Sequence, residues 1–491
     1  MTRKQITWVT VALLLANIVS GMDATIITTA LPAIVSDLHG IQYMGWIVAV
    51  FLLGMAVFSP LWGKLGERTS NKLAFQLGLV LFIVSSAFEG MASNIYYFLL
   101  ARFFMGIGAG GIGSLPYIII GEIFPKYYQR AKALGYISAS WSTATVLGPL
   151  VGGWIVDSLS WHWIFYINIP LGVVTILIVQ RFYQTQSNKV TSQFDYAGAV
   201  LMTGGLALIL LGIQLIGMAP LLWTVILVGL GGVCLLAMKR VERAAVDPIV
   251  PGRIFKNKLL LADFILFSLA WGGGIAIANY VPTWAQGLLA TTALIGGLTQ
   301  IPNALSNMGI AQVSPYLQTR YQAGTLIFWG LFATLVSLVV LVVSGFAAPF
   351  WVLLIACFFS GLGSGLIFVI LQVKVQQDAP PADMAIATSL SYLVRILAQT
   401  FMSSLYGVIM NVMMFREVQA THGRVTMAMM NKISDVQASR TLPPALVPTM
   451  RRILHSGLHA IMVVASLVIL LGIGYNWWVS RHYQSQVTEQ E

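Results

Sequence analysis

An ionisable side chain inside an apolar stretch is costly unless it is paired, hydrated or neutralised, so the few such residues of this chain are where its chemistry should be sought. Asp23 lies nine residues before Pro32, near the far end of the first apolar stretch, and Arg102 lies a short way into the fourth. At about 1.5 Å of rise per residue the two reach a similar depth. A carboxylate beside a guanidinium stays ionised, whereas loss of water favours its neutral form, so water access decides whether the group carries a proton. The pair reads either as a proton-exchange site, with Asp23 taking the proton and Arg102 setting its affinity, or as a structural buried ion pair.

Two further intramembrane charges have several readings. Asp263, about four residues into the ninth stretch, is either a group that reaches water or caps the helix N-terminus, or a contact for a proton or a cationic substrate. Arg395, about midway along the thirteenth, can balance an anionic substrate group, pair with a distant carboxylate or snorkel to lipid phosphate. Histidines add little: His162 stands alone, and His455 and His459, one helical turn apart, lack further ligands. Cys234 and Cys357 are far apart in apolar stretches, so no disulfide framework, thiolate metal site or other metal centre is expected.

The elements that must hold these residues are membrane helices. Apolar residues make up 58% of the 491, charged residues only 9%, and mean hydropathy is +0.83, which a soluble globule could not cover with polar groups. With about 20 apolar residues per crossing, fourteen spans are expected near 6–30, 43–62, 73–92, 95–120, 131–156, 163–182, 196–216, 221–238, 260–283, 291–312, 322–344, 349–373, 384–413 and 455–479. The first is retained, since it has no small-residue cleavage site and carries Asp23. Of the 27 basic residues, Arg102 and Arg395 lie within spans and six lie in or beside the connection 416–454. All the others fall on one side, which makes both termini cytoplasmic and the connection 416–454 extracellular, as a folded lid or an exposed loop. The net charge of +11 then reports topology and an anionic inner leaflet, not nucleic-acid binding.

The chain repeats itself. Phe103-Phe104-Met105-Gly106-Ile107-Gly108-Ala109-Gly110 matches Phe358-Phe359-Ser360-Gly361-Leu362-Gly363-Ser364-Gly365 at an offset of 255, Pro125 maps to Pro380, and Pro32 maps to Pro282 at 250. An all-α fold of two pseudo-symmetric six-helix bundles, residues 1–190 and 256–491, is expected, joined by a central helix pair within 191–255. By the same offsets Arg102 maps to Cys357, Glu122 to Gln377 and Asp23 to Gly273. The second half lacks these charges. Proton coupling is therefore expected in spans one to six, with Asn279, Tyr280, Trp284, Gln300 and Asn303 on a substrate wall.

Leu147-Gly148-Pro149-Leu150-Val151-Gly152-Gly153 places a proline and close-packing glycines inside a span. It resembles the antiporter signature of proton-coupled drug exporters and, like any bend in lipid, needs neighbouring helices to satisfy the freed carbonyls. Asp23 to Pro32, Gly63-Lys64-Leu65-Gly66-Glu67-Arg68 with Lys72, Arg102 with Gly106 and Gly110, and Trp161-His162-Trp163 with Asn168-Ile169-Pro170 complete the pattern. The whole chain resembles the fourteen-helix drug:proton antiporter family of the major facilitator superfamily, with Glu67 where aspartate is usual and Ser70-Asn71 in place of basic residues or glycine. The resemblance implies that Asp23 and Arg102 line a central cavity. It also implies that Glu122 joins Glu67, Arg68 and Arg130 in a charge network holding an inner gate.

No GxxxxGK[ST] segment points to nucleotide use, so a proton gradient, with no cofactor, is the expected energy source. The function expected is export of lipophilic cationic or zwitterionic drugs from a bacterial cytoplasmic membrane by a monomer, with protons and membrane lipids as the other partners. Alternatives are a lipid or glycolipid flippase, a tetracycline-type antiporter and a non-transporting sensor.

Overall fold

In the computed structural model of the chain, which describes residues 1–124, 127–184, 195–216, 220–244, 254–346, 348–380, 384–434 and 436–487, the regular elements are all helical. Short polar residues at the starts supply the caps that free backbone N–H groups require. Thr2 and Gln5 form a capping box on α1 (Arg3–Asp37), and α2 (Met44–Arg68) follows a single 3-10 turn. Ser70 caps α3 (Asn71–Gly90) and Asn94 caps α4 (Ile95–Ile123). Next come α5 (Tyr127–Ser158), α6 (Trp163–Tyr166), α7 (Asn168–Phe182), α8 (Tyr196–Gln214) and α9 (Leu221–Ala244).

Asn257 caps α10 (Lys258–Leu289), which is followed by α11 (Ala293–Leu298), α12 (Ile301–Gln318), α13 (Ala323–Val343) and α14 (Phe350–Asp378). The chain closes with α15 (Met384–Ala420), the short α16 (Met427–Ile433) and α17 (Val436–Ser439), and α18 (Val447–Val487).

Eleven of these helices, among the described residues, are long and apolar enough to cross a membrane. The three other expected spans coincide with α5, α8 and the α11–α12 pair. The span expected at 291–312 is broken at Thr299-Gln300, because Pro302 enters at the first turn of α12, where its missing N–H costs no helical bond. Pro170 similarly sits in the first turn of α7.

The chain divides into two compact units. In the first, Met1–Leu215 with Pro220–Ile249, α4 packs on α2 and α3, α1 packs on α5 and α7, and α8 packs on α9. In the second, Ile216–Ala219 with Val250–Glu491, α14 packs on α12 and α13, and α10 packs on α15 and α18. Leu221, Leu222, Trp223, Val225 and Leu236 of α9 are all more than half exposed, a face suited to lipid. The connection 416–454 is folded: Met430 and Ile433 of α16 are buried, and α16 packs on α17 and α18.

Candidate functional site

Close helix approach sets the first unit's site. A Cβ at Gly106 of α4 would overlap the carbonyl of Phe51 in α2, so only glycine allows this crossing. The crossing lays the Phe51 ring over Arg102, 4.2 Å from the guanidinium carbon. On α5, Gly148 would meet Thr25 if it carried a Cβ, and Gly152 would come within 2.8 Å of Ile26. Gly148, Pro149, Gly152 and Gly153 are all buried, and the expected close packing of this segment is made against α1 beside Asp23.

Three charged side chains meet there. Arg102 Nη1 donates to Asp23 Oδ2 at 2.9 Å and to Glu89 Oε2 at 3.4 Å, with Met105 Sδ at 3.7 Å. Their side chains are 1%, 3% and 0% exposed respectively for Arg102, Asp23 and Glu89. Asp23 and Arg102 thus meet, as their depths predict. Glu89, near the end of α3, is the member that sequence reasoning missed, although it is the only carboxylate in Asn71–Gly90. Nearby, Asn168 donates to Ser86 Oγ at 3.1 Å and Ser86 donates to the Phe165 carbonyl at 2.8 Å. Tyr166 donates to the Gly90 carbonyl at 2.7 Å. These bonds fasten the end of α3 to α6 and α7.

The expected gate residues are arranged differently. Glu122 accepts from Asn71 and from Tyr183, which ties the end of α4 to the start of α3 and the end of α7. Among the described residues, the donors that meet Glu122 are the neutral side chains of Asn71 and Tyr183. Arg68 ends α2 half-buried, and Gly63 has its nearest prospective Cβ neighbour, Ile118, at 3.7 Å. Lys72 donates to the Gln180 carbonyl at 2.9 Å, satisfying the C-terminal turn of α7. The side chains of Glu67 and Arg130 lie outside the described residues.

In the second unit Asp263 is fully buried, 2.9 Å from Lys374 Nζ of α14, and Lys374 also bonds Asp378. The N-terminus of α10 is capped by Asn257, which also donates to the Asp378 carbonyl at 2.7 Å, so the capping and water-exposed readings of Asp263 are both corrected. Lys374 carried no sequence signal beyond its place at the end of a span.

Arg395 lies amid four rings, with its guanidinium carbon 4.8 Å from Phe368, 5.3 Å from Phe267, 5.4 Å from Trp271 and 5.6 Å from Tyr392. A cavity of about 140 Å³ nearby is lined by Trp271, Asn303, Thr334, Ser360, Ser364 and Gln399, among others. Of the residues expected on a substrate wall, only Asn303 lines it. Asn279, Tyr280 and Trp284 are buried in helix contacts, with Ser403, Tyr406 and His455 respectively, and Gln300 donates to Cys357 Sγ at 3.7 Å.

His455 and His459 meet the Ser344 and Val342 carbonyls beyond and at the end of α13. Among the described residues, no group of three potential ligands is placed to hold a metal. His162 stacks on Trp161 with centroids 3.7 Å apart, and burial holds its imidazole below the usual histidine range against the opposing pull of Asp37.

The profile of the Major Facilitator Superfamily matches residues 13–403. The chain belongs to the major facilitator superfamily. It is similar to the "Multidrug transporter protein MdtP" of Bacillus subtilis (strain 168), 32% identical over 409 residues, covering 81% of this chain and 74% of the relative. It is also similar to "Multidrug resistance protein 3" of the same strain, 28% identical over 406 residues, covering 82% of this chain and 79% of the relative. Among solved structures, a bacterial homolog of the human lysosomal transporter Spinster has the same fold, with a TM-score of 0.72 at 14% identity and 99% of each chain covered. As a member of this superfamily the chain is a multi-pass membrane transporter and not an enzyme.

Proposed function

We propose that this major facilitator is a proton-coupled exporter of lipophilic cationic or zwitterionic drugs, working as a fourteen-helix antiporter by alternating access. In this reading two six-helix bundles and a central helix pair cross a bacterial cytoplasmic membrane, with both termini in the cytoplasm. The protein acts as a monomer among membrane lipids, and the proton gradient replaces any cofactor. Relatives named multidrug transporter and multidrug resistance protein support the export of drugs. Proton coupling rests on one observation: a single buried guanidinium faces two buried carboxylates. One cation neutralises one carboxylate, so a proton bound at the second removes the remaining charge, and admission of water releases it.

The test is ethidium accumulation in inverted vesicles under an imposed proton gradient, comparing the natural chain with Asp23→Asn at equal expression. The natural chain is expected to accumulate ethidium until the gradient is collapsed, and Asp23→Asn to lose that gradient-driven component. Equal transport by the two would remove Asp23 from the coupling machinery. Absence of gradient-dependent transport by the natural chain would refute proton-driven export of this cation.

A further inference from the structure

Asp23 and Glu89 compete for one nitrogen, and their geometry is unequal. Asp23 Oδ2 approaches Arg102 Nη1 at 2.9 Å, the distance of a charge-assisted hydrogen bond, whereas Glu89 Oε2 stands at 3.4 Å, beyond the usual range. Glu89 Oε1 is buried and has no hydrogen-bond partner among the described residues. Leaving a neutral hydroxyl without a partner costs far less than leaving an ionised oxygen without one. We infer that the exchangeable proton of this cluster resides on Glu89, while Asp23 is the fixed counter-ion of Arg102.

The surroundings of Glu89 agree with this assignment. From α4 it faces Arg102, and from α1 it faces Asp23, whose negative charge disfavours a second ionised carboxylate beside it. Close by, α6 commits the Tyr166 hydroxyl to the Gly90 carbonyl, α2 lays the uncharged Phe51 ring over Arg102, and α7 brings Asn168 to Ser86. No second cation meets Glu89 in these contacts. The proton therefore converts a cluster carrying one surplus negative charge into a neutral one, and its departure requires water or a rearranged Arg102.

The use of this proton in transport rests on the exporter reading above, but its location can be measured without transport. Infrared difference spectra of the purified full chain at neutral pH, natural protein minus variant, read the carbonyl stretch of a neutral carboxylic acid. The band is expected to be absent from Glu89→Gln, to shift in Glu89→Asp and to stay in place in Asp23→Glu, which keeps both acids; Asp23→Asn leaves Glu89 as the sole counter-ion of Arg102 and is expected to lose the band too. Glu89→Asp and Asp23→Glu keep two carboxylates against Arg102, so the pair provides the readout even if Glu89→Gln does not fold. A band that shifts in Asp23→Glu and stays in place in Glu89→Asp would overturn the assignment, as would a band unchanged by both Glu89 substitutions. In the ethidium assay Glu89→Gln is expected to lose gradient-driven accumulation. A natural chain that fails this assay yet shows the Glu89 band would sink the exporter reading alone.

Discussion

Arg102 and Cys357 stand at corresponding places in the two repeats, at the same spacing before Gly106 and Gly361. Around both, glycine lets two helices touch: a Cβ at Gly106 would strike the Phe51 carbonyl, and one at Gly361 would strike the Asn303 carbonyl. Yet the first unit fills the position with a guanidinium held by two carboxylates, and the second with a thiol that accepts from Gln300. Ion pairs seen among the described residues of the second unit lie near helix ends, at Asp263, Lys374 and Asp378. The crossing is thus maintained by small residues, and charge at its centre is an addition that the helices do not need in order to pack. A buried charge that packing does not require calls for another reason, and the proton exchange proposed above would supply one.

The largest effect should come from exchanging the two residues. Arg102→Cys leaves two carboxylates without their cation and is expected to cost about 3–5 kcal/mol and to abolish gradient-driven transport. Cys357→Arg inserts a cation among neutral groups and should lower the thermal midpoint comparably, while Cys357→Ser changes little. Unfolding in mild detergent, with vesicle transport in parallel, checks both. A well-tolerated Cys357→Arg would break the contrast between the units.

A smaller effect is expected at Asp263. Lys374 is 19% exposed, so Lys374→Met should destabilise by no more than about 3 kcal/mol. Adding Asp263→Asn should restore much of the loss, because the buried charge is then removed together with its partner. Additive losses in this double-mutant cycle would show that the pair is not coupled.

The smallest effect concerns His162, outside the spans. Because burial holds its folded value below the usual range, the unfolded chain binds more protons between that value and about pH 6.5. Stability should therefore rise slightly with pH across that window. Thermal midpoints from about pH 5.5 to about pH 7.5 should show a shallow rise that flattens in His162→Gln.

Much of this arrangement is legible in the sequence. Apolar run lengths located the helices, and equal depth paired Asp23 with Arg102, since both rest on backbone geometry that repeats along the chain. Glu89 escapes depth counting, which pairs the arginine once and asks for no second acceptor. Its place 13 residues before Arg102, across the tight turn capped by Asn94, puts it within reach. The partners of Glu122 escaped for a different reason. Asn71 and Tyr183 are neutral, and matching charge with charge overlooks donors that satisfy a carboxylate equally well. Lys374 and Asp263 lie on separate helices, and no local spacing records which turns of two long helices face each other.

The ring of Trp271 has one further use. It stands 5.4 Å from the Arg395 guanidinium and lines the neighbouring cavity, so its indole senses both a fixed positive charge and whatever enters that space. Indole emission responds to nearby charge and hydration, which makes this residue an optical gauge built into the second unit. Because the chain holds 14 tryptophans, the signal has to be isolated by subtracting the spectrum of Trp271→Phe. What remains would register the movements of Arg395 in light, with no label attached.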